Sequence, residues 1–166
     1  ITAQADMLAH KRIEVEDVVV ATLRFKSGAL GVIEATTAAF PGMLKRIEIH
    51  GTQGSAVLEE EDIKMWEFVT MNKSDNKLVQ RMAGRTKTGG GAGDPTAIGH
   101  HAHAELFRDA IRTIQGKISN SIDGAEGRRS VEIILAIYKA AESRKAITLP
   151  LKRDPRLSYR KHGVKS

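Results

Sequence analysis

Between residues 14 and 69 the chain offers one short β-type run after another, with no stretch of helical periodicity between them. Parallel neighbours need crossovers of about a dozen residues or more. The gaps here are turns of a few residues, so the strands must pair mainly antiparallel. Residues 14–26, EVEDVVVATLRFK, are rich in β-branched side chains, Ser27-Gly28 supplies a turn, and ALGVIEATTA resumes the pattern, which makes a hairpin. Pro41-Gly42 marks the next break. LKRIEIH then alternates with Ile47 and Ile49 on one face, and Gly51-Thr52-Gln53-Gly54-Ser55 turns the chain into AVLEE. Residues 62–69 form a further strand with Ile63, Met65 and Phe68 inward.

The remainder differs in kind. Residues 71–99 hold six glycines and five Lys or Arg with few large apolar side chains, and read as a long loop. HHAHAELFRDAIRTIQG then places Leu106, Phe107, Ala110, Ile111 and Ile114 at helical spacing, with Gly116 as a stop. A second helix begins near Asp123 and carries Val131, Ile134, Leu135, Tyr138 and Ala141 on one face, widened by Ile133 and Ile137. ITLPL, residues 147–151, reads as a closing strand ending at Pro150. The order predicts an α+β fold: an open, mainly antiparallel β-sheet with helices packed on one face.

The other face then needs cover. Val18, Val20 and Thr22 alternate with Val19, Ala21 and Leu23, so the first strand is apolar on both sides. Such strands imply cover on both sides. The expected cover is a second chain or another domain.

Composition narrows the function classes. At 166 residues the chain suits one domain, and with no Cys it has no disulfide framework, thiolate zinc site or cysteine nucleophile. No apolar run approaches the roughly 20 residues of a membrane span, and no secretory signal is apparent, so a cytoplasmic location is expected and membrane association is not. The chain opens with Ile1 and is expected to be the remainder of a longer polypeptide. The net charge of +6 is concentrated: residues 151–166 hold six Lys and Arg against Asp154 alone, +5, while the other 150 residues balance 20 cations against 19 anions. A near-neutral body with a short basic tail and 4% aromatic residues is a poor nucleic-acid binder.

The strings VEDVVVATLRFKSGALGVIEAT, IEIHGTQGS, GHHAHAELFRDAI and DGAEGRRSVEIILAIYKAAESRKAITLP, in this order, resemble the C-terminal domain of the glucose-fructose oxidoreductase, inositol dehydrogenase and MocA family. The resemblance runs from about residue 1 to residue 151 and leaves residues 152–166 as a basic tail. Arg144 stands where that family commonly has Gly, so either a strained left-handed cap forms there or the helix runs on. The resemblance implies an NAD(P)-dependent dehydrogenase of a sugar, cyclitol or related hydroxylated small molecule. In that family a Rossmann domain comes first and this domain contributes substrate pocket and oligomer interface, so the resemblance implies a homo-oligomer, a dimer or tetramer, formed through the open sheet face. It also implies that the Rossmann domain and the catalytic Lys, Asp and His lie outside this chain. NAD or NADP would belong to the parent protein, and the fragment alone is expected to be inactive, with no catalytic, cofactor-binding or metal residue of its own. The alternative is a stand-alone assembly or binding module.

Gly89-Gly90-Gly91-Ala92-Gly93-Asp94 follows no strand and puts Asp where a dinucleotide fingerprint needs Gly or Ala, so it reads as a loop. The densest titratable cluster is His100, His101 and His103. Three readings are open: metal ligands, a substrate-facing helix start, or capping and interface histidines. With Arg85 and Lys87 of the preceding loop, these histidines are the expected substrate-binding residues. Glu59, Glu60, Glu61 and Asp62 read as a solvated acidic turn, and Trp66 and Tyr138 as core or interface aromatics.

Overall fold

The computed structural model describes residues 1–84, 101–118, 122–153 and 155; of residues 101 and 102 only the backbone is described. The class is the expected one, α+β with antiparallel pairing, but the strands hydrogen-bond as two sheets of three. The chain divides into two compact units, Ile1–Ala38 with His103–Ser166 and Ala39–Ala102.

In the first unit the strands run in the order β1 (Thr2–Asp6), β2 (Val18–Arg24), β3 (Leu30–Thr36). The foreseen hairpin is present. Phe25 N–H donates to the Ala29 carbonyl at 2.9 Å, and Gly28 sits at φ +93°, where a side chain would be strained. β1 has no counterpart in the sequence reading, because Thr-Ala-Gln-Ala-Asp is poor in β-formers. Its alanines serve packing. The pairing puts Ala3, Ala21 and Ile33 on one face and Gln4, Val20 and Glu34 on the other.

Helix α3 (Gly124–Ser143) packs against β1, and Ala136 and Ala140 are as fully buried as Ala21. Small residues let a helix backbone approach a sheet closely, and the dispersion contacts of a dense seam follow from that approach. The fully buried positions are Ala136, Ile137 and Ala140; of the expected face, Leu135, Tyr138 and Ala141 are half-buried, as is Ile133, while Val131 and Ile134 are exposed. Asp123 caps the helix by accepting the Glu126 N–H at 2.9 Å. At the far end Arg144 takes the left-handed conformation, φ +54° and ψ +31°, so the strained alternative is realised. Beyond it, residues 147–151 are not the expected strand. Ile147 instead exchanges two backbone hydrogen bonds with Ile1, each 2.8 Å, and Leu151 N–H donates to Glu132 at 2.7 Å.

The second unit orders its strands β4 (Arg46–Gly51), β5 (Gly54–Glu59), β6 (Asp62–Phe68). Gly54 is required: a Cβ there would lie 2.3 Å from the Phe68 ring. A register irregularity at Val57/Leu58 changes which β6 residues share a face. Ile63 is buried as expected, but Met65 is exposed, and Trp66 joins Phe68 as half-buried, their rings 5.1 Å apart.

Helix α1 (Lys73–Met82) falls inside the stretch expected to be a loop. Two signals account for it. Asn72 accepts from the Ser74 and Asp75 N–H groups while the Asp75 carboxylate takes the Asn72 N–H, a capping box. Asp75, Leu78, Val79 and Met82, spaced at helical intervals, are its partly buried positions, and α1 packs against β6. Glycine content had outweighed this spacing. Helix α2 (His101–Ile114) ends as expected, with Gly116 at φ +69°, but Leu106, Phe107, Ile111 and Ile114 on its apolar face are exposed.

Candidate functional site

The expected substrate-binding residues meet the structure only in part. Arg85, Lys87 and His100 lie outside the described residues, as do the 89–94 glycine loop and most of the basic tail, residues 156–166. His101 is the first residue of α2, and His103 is exposed on the same helix. Glu105, one turn from His101, pairs with Arg108. Among the described residues no three His, Asp or Glu side chains are placed to hold a metal ion. Grooves along α3, lined by Arg128, Val131, Glu132 and Leu135, and along α1, lined by Ser74, Asp75, Lys77, Leu78 and Arg81, contain none of the expected site residues.

The acidic turn is ion-paired and partly buried, where a solvated turn was expected. Glu60 and Glu61 are the two turn residues between Glu59 and Asp62, and Glu60 has φ +51°. Glu60 pairs with Lys45 at 3.2 Å. Asp62 is buried, receiving Lys64 Nζ at 3.0 Å and Gly84 N–H at 2.8 Å. Lys64, followed by the Gly84 N–H, holds the Asp62 carboxyl below the usual carboxylate range, and Asp62 in turn pushes the Lys64 ammonium up. The aromatic readings fit the structure. Trp66 is half-buried with its indole N–H donating to Asp75 at 3.2 Å, and half-buried Tyr138 donates to Glu16 at 2.6 Å.

Two polar clusters were missed by sequence reasoning. Asp17 is buried at the start of β2, where it accepts N–H bonds from Leu8, Ala9 and His10 at 2.7–2.9 Å, and the His10 ring lies 3.1 Å away. The N–H groups of His10, Leu8 and Ala9 hold its carboxyl far below the usual range. Asp17 thereby organises the loop between β1 and β2. The only sequence signal was an acid entering an apolar strand.

On β4 and β5, Ser55 Oγ lies 3.1 Å from His50 Nδ1, and His50 Nε2 lies 3.2 Å from Glu48, which also pairs with Arg46 at 2.5 Å. The residue types are those of a hydrolytic triad. Their setting is an open strand surface, with the His50 side chain 61% exposed, so water shares each bond and no dry pocket strengthens it. The His50 ring and then the Arg46 guanidinium hold Glu48 below the usual carboxylate range.

The surface most distinct from an ordinary solvated face lies on the first sheet, opposite α3. Val20, Leu30 and Val32 stand there 43%, 70% and 70% exposed. They share the face with Gln4, Glu34 and the Thr2–Thr22 hydroxyl pair at 2.6 Å.

Comparison with known proteins places this geometry. Residues 1–57 match the GFO/IDH/MocA C-terminal domain. Over those residues the chain is similar to that family's C-terminal domain. The WlbA dehydrogenase from Bordetella pertussis, solved in complex with NADH and UDP-GlcNAcA, is similar over 90% of this chain at 28% identity and a TM-score of 0.75. A levoglucosan dehydrogenase, solved in complex with NADH and L-sorbose, shares the fold over 87% of this chain at 24% identity and a TM-score of 0.61. The chain spans 41% and 42% of the length of these two proteins. No curated protein matches it.

The described residues do not fit a dinucleotide. Every strand pair among them is antiparallel. The passage from β6 to α1 runs through Val69, Thr70, Met71 and Asn72 with no glycine to admit a pyrophosphate. Among the described residues no helix is long and apolar enough to cross a membrane.

Proposed function

We propose that this chain is the C-terminal part of an NAD(P)-dependent dehydrogenase acting on a sugar, cyclitol or related hydroxylated small molecule. Residues 1–151 would form the domain and residues 152–166 a basic tail. The carrying observation is the likeness, over 90% of the chain, to a dehydrogenase solved with NADH and a nucleotide sugar. Hydride transfer needs a nicotinamide held against the substrate and a base for the hydroxyl proton. The described residues offer no dinucleotide cradle, so in this reading the cofactor sits on a separate Rossmann domain and the chain alone is inactive. Its own contributions are the substrate-facing start of α2, with His100, His101, His103, Arg85 and Lys87, and an oligomer interface on the open face around Val20 and Val32. The exposure of those valines supports the interface.

The test compares the 166-residue chain with the protein that joins it to a dinucleotide domain. The longer protein is expected to reduce NAD or NADP in the presence of one of a panel of sugars, cyclitols and nucleotide sugars, and the chain alone to leave NADH fluorescence unchanged. NADH binding by the chain alone would overturn the division of labour. A longer protein inactive on the whole panel would overturn the substrate class.

A further inference from the structure

Strand β4 is an edge of its sheet, and all six of its residues are exposed. Its outward backbone groups follow from the ladder. The Lys45 carbonyl accepts the Glu60 N–H at 2.8 Å, and the Gln53 carbonyl accepts the Val69 N–H at 2.9 Å. In an antiparallel ladder successive residues alternate sides. Residues 45, 47 and 49 therefore bond to β5, and the N–H and C=O groups of Arg46, Glu48 and His50 point away from it. Such a row is a template for another strand unless it is blunted. Pro, which would blunt it, is absent from the strand, and Ile47 and Ile49 remain 54% and 67% exposed on one face.

The charges on this edge select a partner and a register. An antiparallel copy of β4 centred on Glu48 would set Glu48 against Glu48, like charges directly opposite, and would leave Arg46 facing His50 with no carboxylate across from it. A copy centred on Ile47 sets Arg46 against Glu48 twice, with the two Ile47 side chains meeting at the axis in the closer, non-hydrogen-bonded type of pair. We propose that β4 pairs antiparallel with β4 of a second copy of this chain, centred on Ile47, joining two three-stranded sheets into one of six. The Arg46–Glu48 pair within each of the two strands, at 2.5 Å, is exchanged for a pair across the axis, two for two. This edge contact is separate from the open face around Val20 and Val32 and does not depend on it.

The test is sedimentation of the 166-residue chain over a wide dilution range, with amide hydrogen exchange. Concentrating the protein should slow exchange at Arg46, Glu48 and His50 and leave Ile47 and Ile49, already bonded to β5, unchanged. Arg46→Glu and Glu48→Arg singly should weaken this association roughly tenfold or more, since two attractions become repulsions, and the double charge swap should restore it. Glu48→Pro removes an outward N–H but no ladder bond, so it should abolish pairing while the circular dichroism stays that of the parent. The proposal is overturned by a monomer at every concentration or by a double swap no better than the singles. It is equally overturned by association that Val32→Lys abolishes and the β4 variants leave untouched.

Discussion

Arg144 shows a single residue working against its position. A left-handed conformation costs an ordinary residue roughly 1–2 kcal/mol, and Gly is the residue that adopts it freely. Arg144→Gly is accordingly expected to stabilise the chain by about 1 kcal/mol, less what Gly loses in the more flexible unfolded chain, read as a higher urea midpoint at unchanged m-value. Asp17 works in the opposite sense, since its ionised carboxylate is the acceptor that three backbone N–H groups require. Its folded pKa is depressed, so its stabilisation is fully present above the unfolded value of about 3.9 and is lost as pH falls below it. Asp17→Asn should lower stability at neutral pH, speed amide exchange at Leu8, Ala9 and His10, and flatten the acid limb of the stability curve. A stability unchanged at pH 7 would show that the loop closes without it. The Arg144 conflict was legible in the sequence because it is local, whereas the Asp17 cage was not, because its donors lie seven to nine residues away in a segment with no periodicity.

At the level of elements, regularity governs what could be read. The β2–β3 hairpin, the three-strand run β4 to β6, α2 and α3 all follow from period and turn chemistry, and each is present. β1 and α1 were invisible for opposite reasons: β1 has the residues of a helix but pairs as a strand, and α1 has a capped helical pattern inside a glycine-rich neighbourhood. Asn72→Ala should cost α1 about 1 kcal/mol through the lost cap, measured as an earlier local loss of helix signal on heating. The seam of α3 against the first sheet is the sterner case. Ala140, 1% exposed, has no room for added methylenes, and Ala140→Leu should cost roughly 1–3 kcal/mol. Ile137→Ala would leave a cavity there and cost roughly 2–5 kcal/mol. Val131→Ala on the exposed side of the same helix should cost far less, and equal losses at positions 131 and 137 would contradict the observed stripe.

For the whole molecule the question is what covers the apolar surface left open. Val20, Leu30 and Val32 form a face that water meets unfavourably, at about 25 cal/mol per Å² of apolar area. Val32→Lys and Val20→Lys should lower the solution mass seen by light scattering while leaving helix content intact; an unchanged mass for both would remove that face from the interface. The sequence by itself determined the antiparallel α+β class, the helix ends at Asp123 and Gly116 and the two-sided apolar character of β2, because alternation, capping and turn preference act over a few residues. Only the tertiary structure decided that the strands divide into two sheets, that alanines rather than large side chains seat α3, and that Asp17, Asp62 and Glu48 find their partners. Those outcomes depend on which surfaces meet, and the energy of a buried alanine or carboxylate is set by neighbours that the chain brings together only on folding.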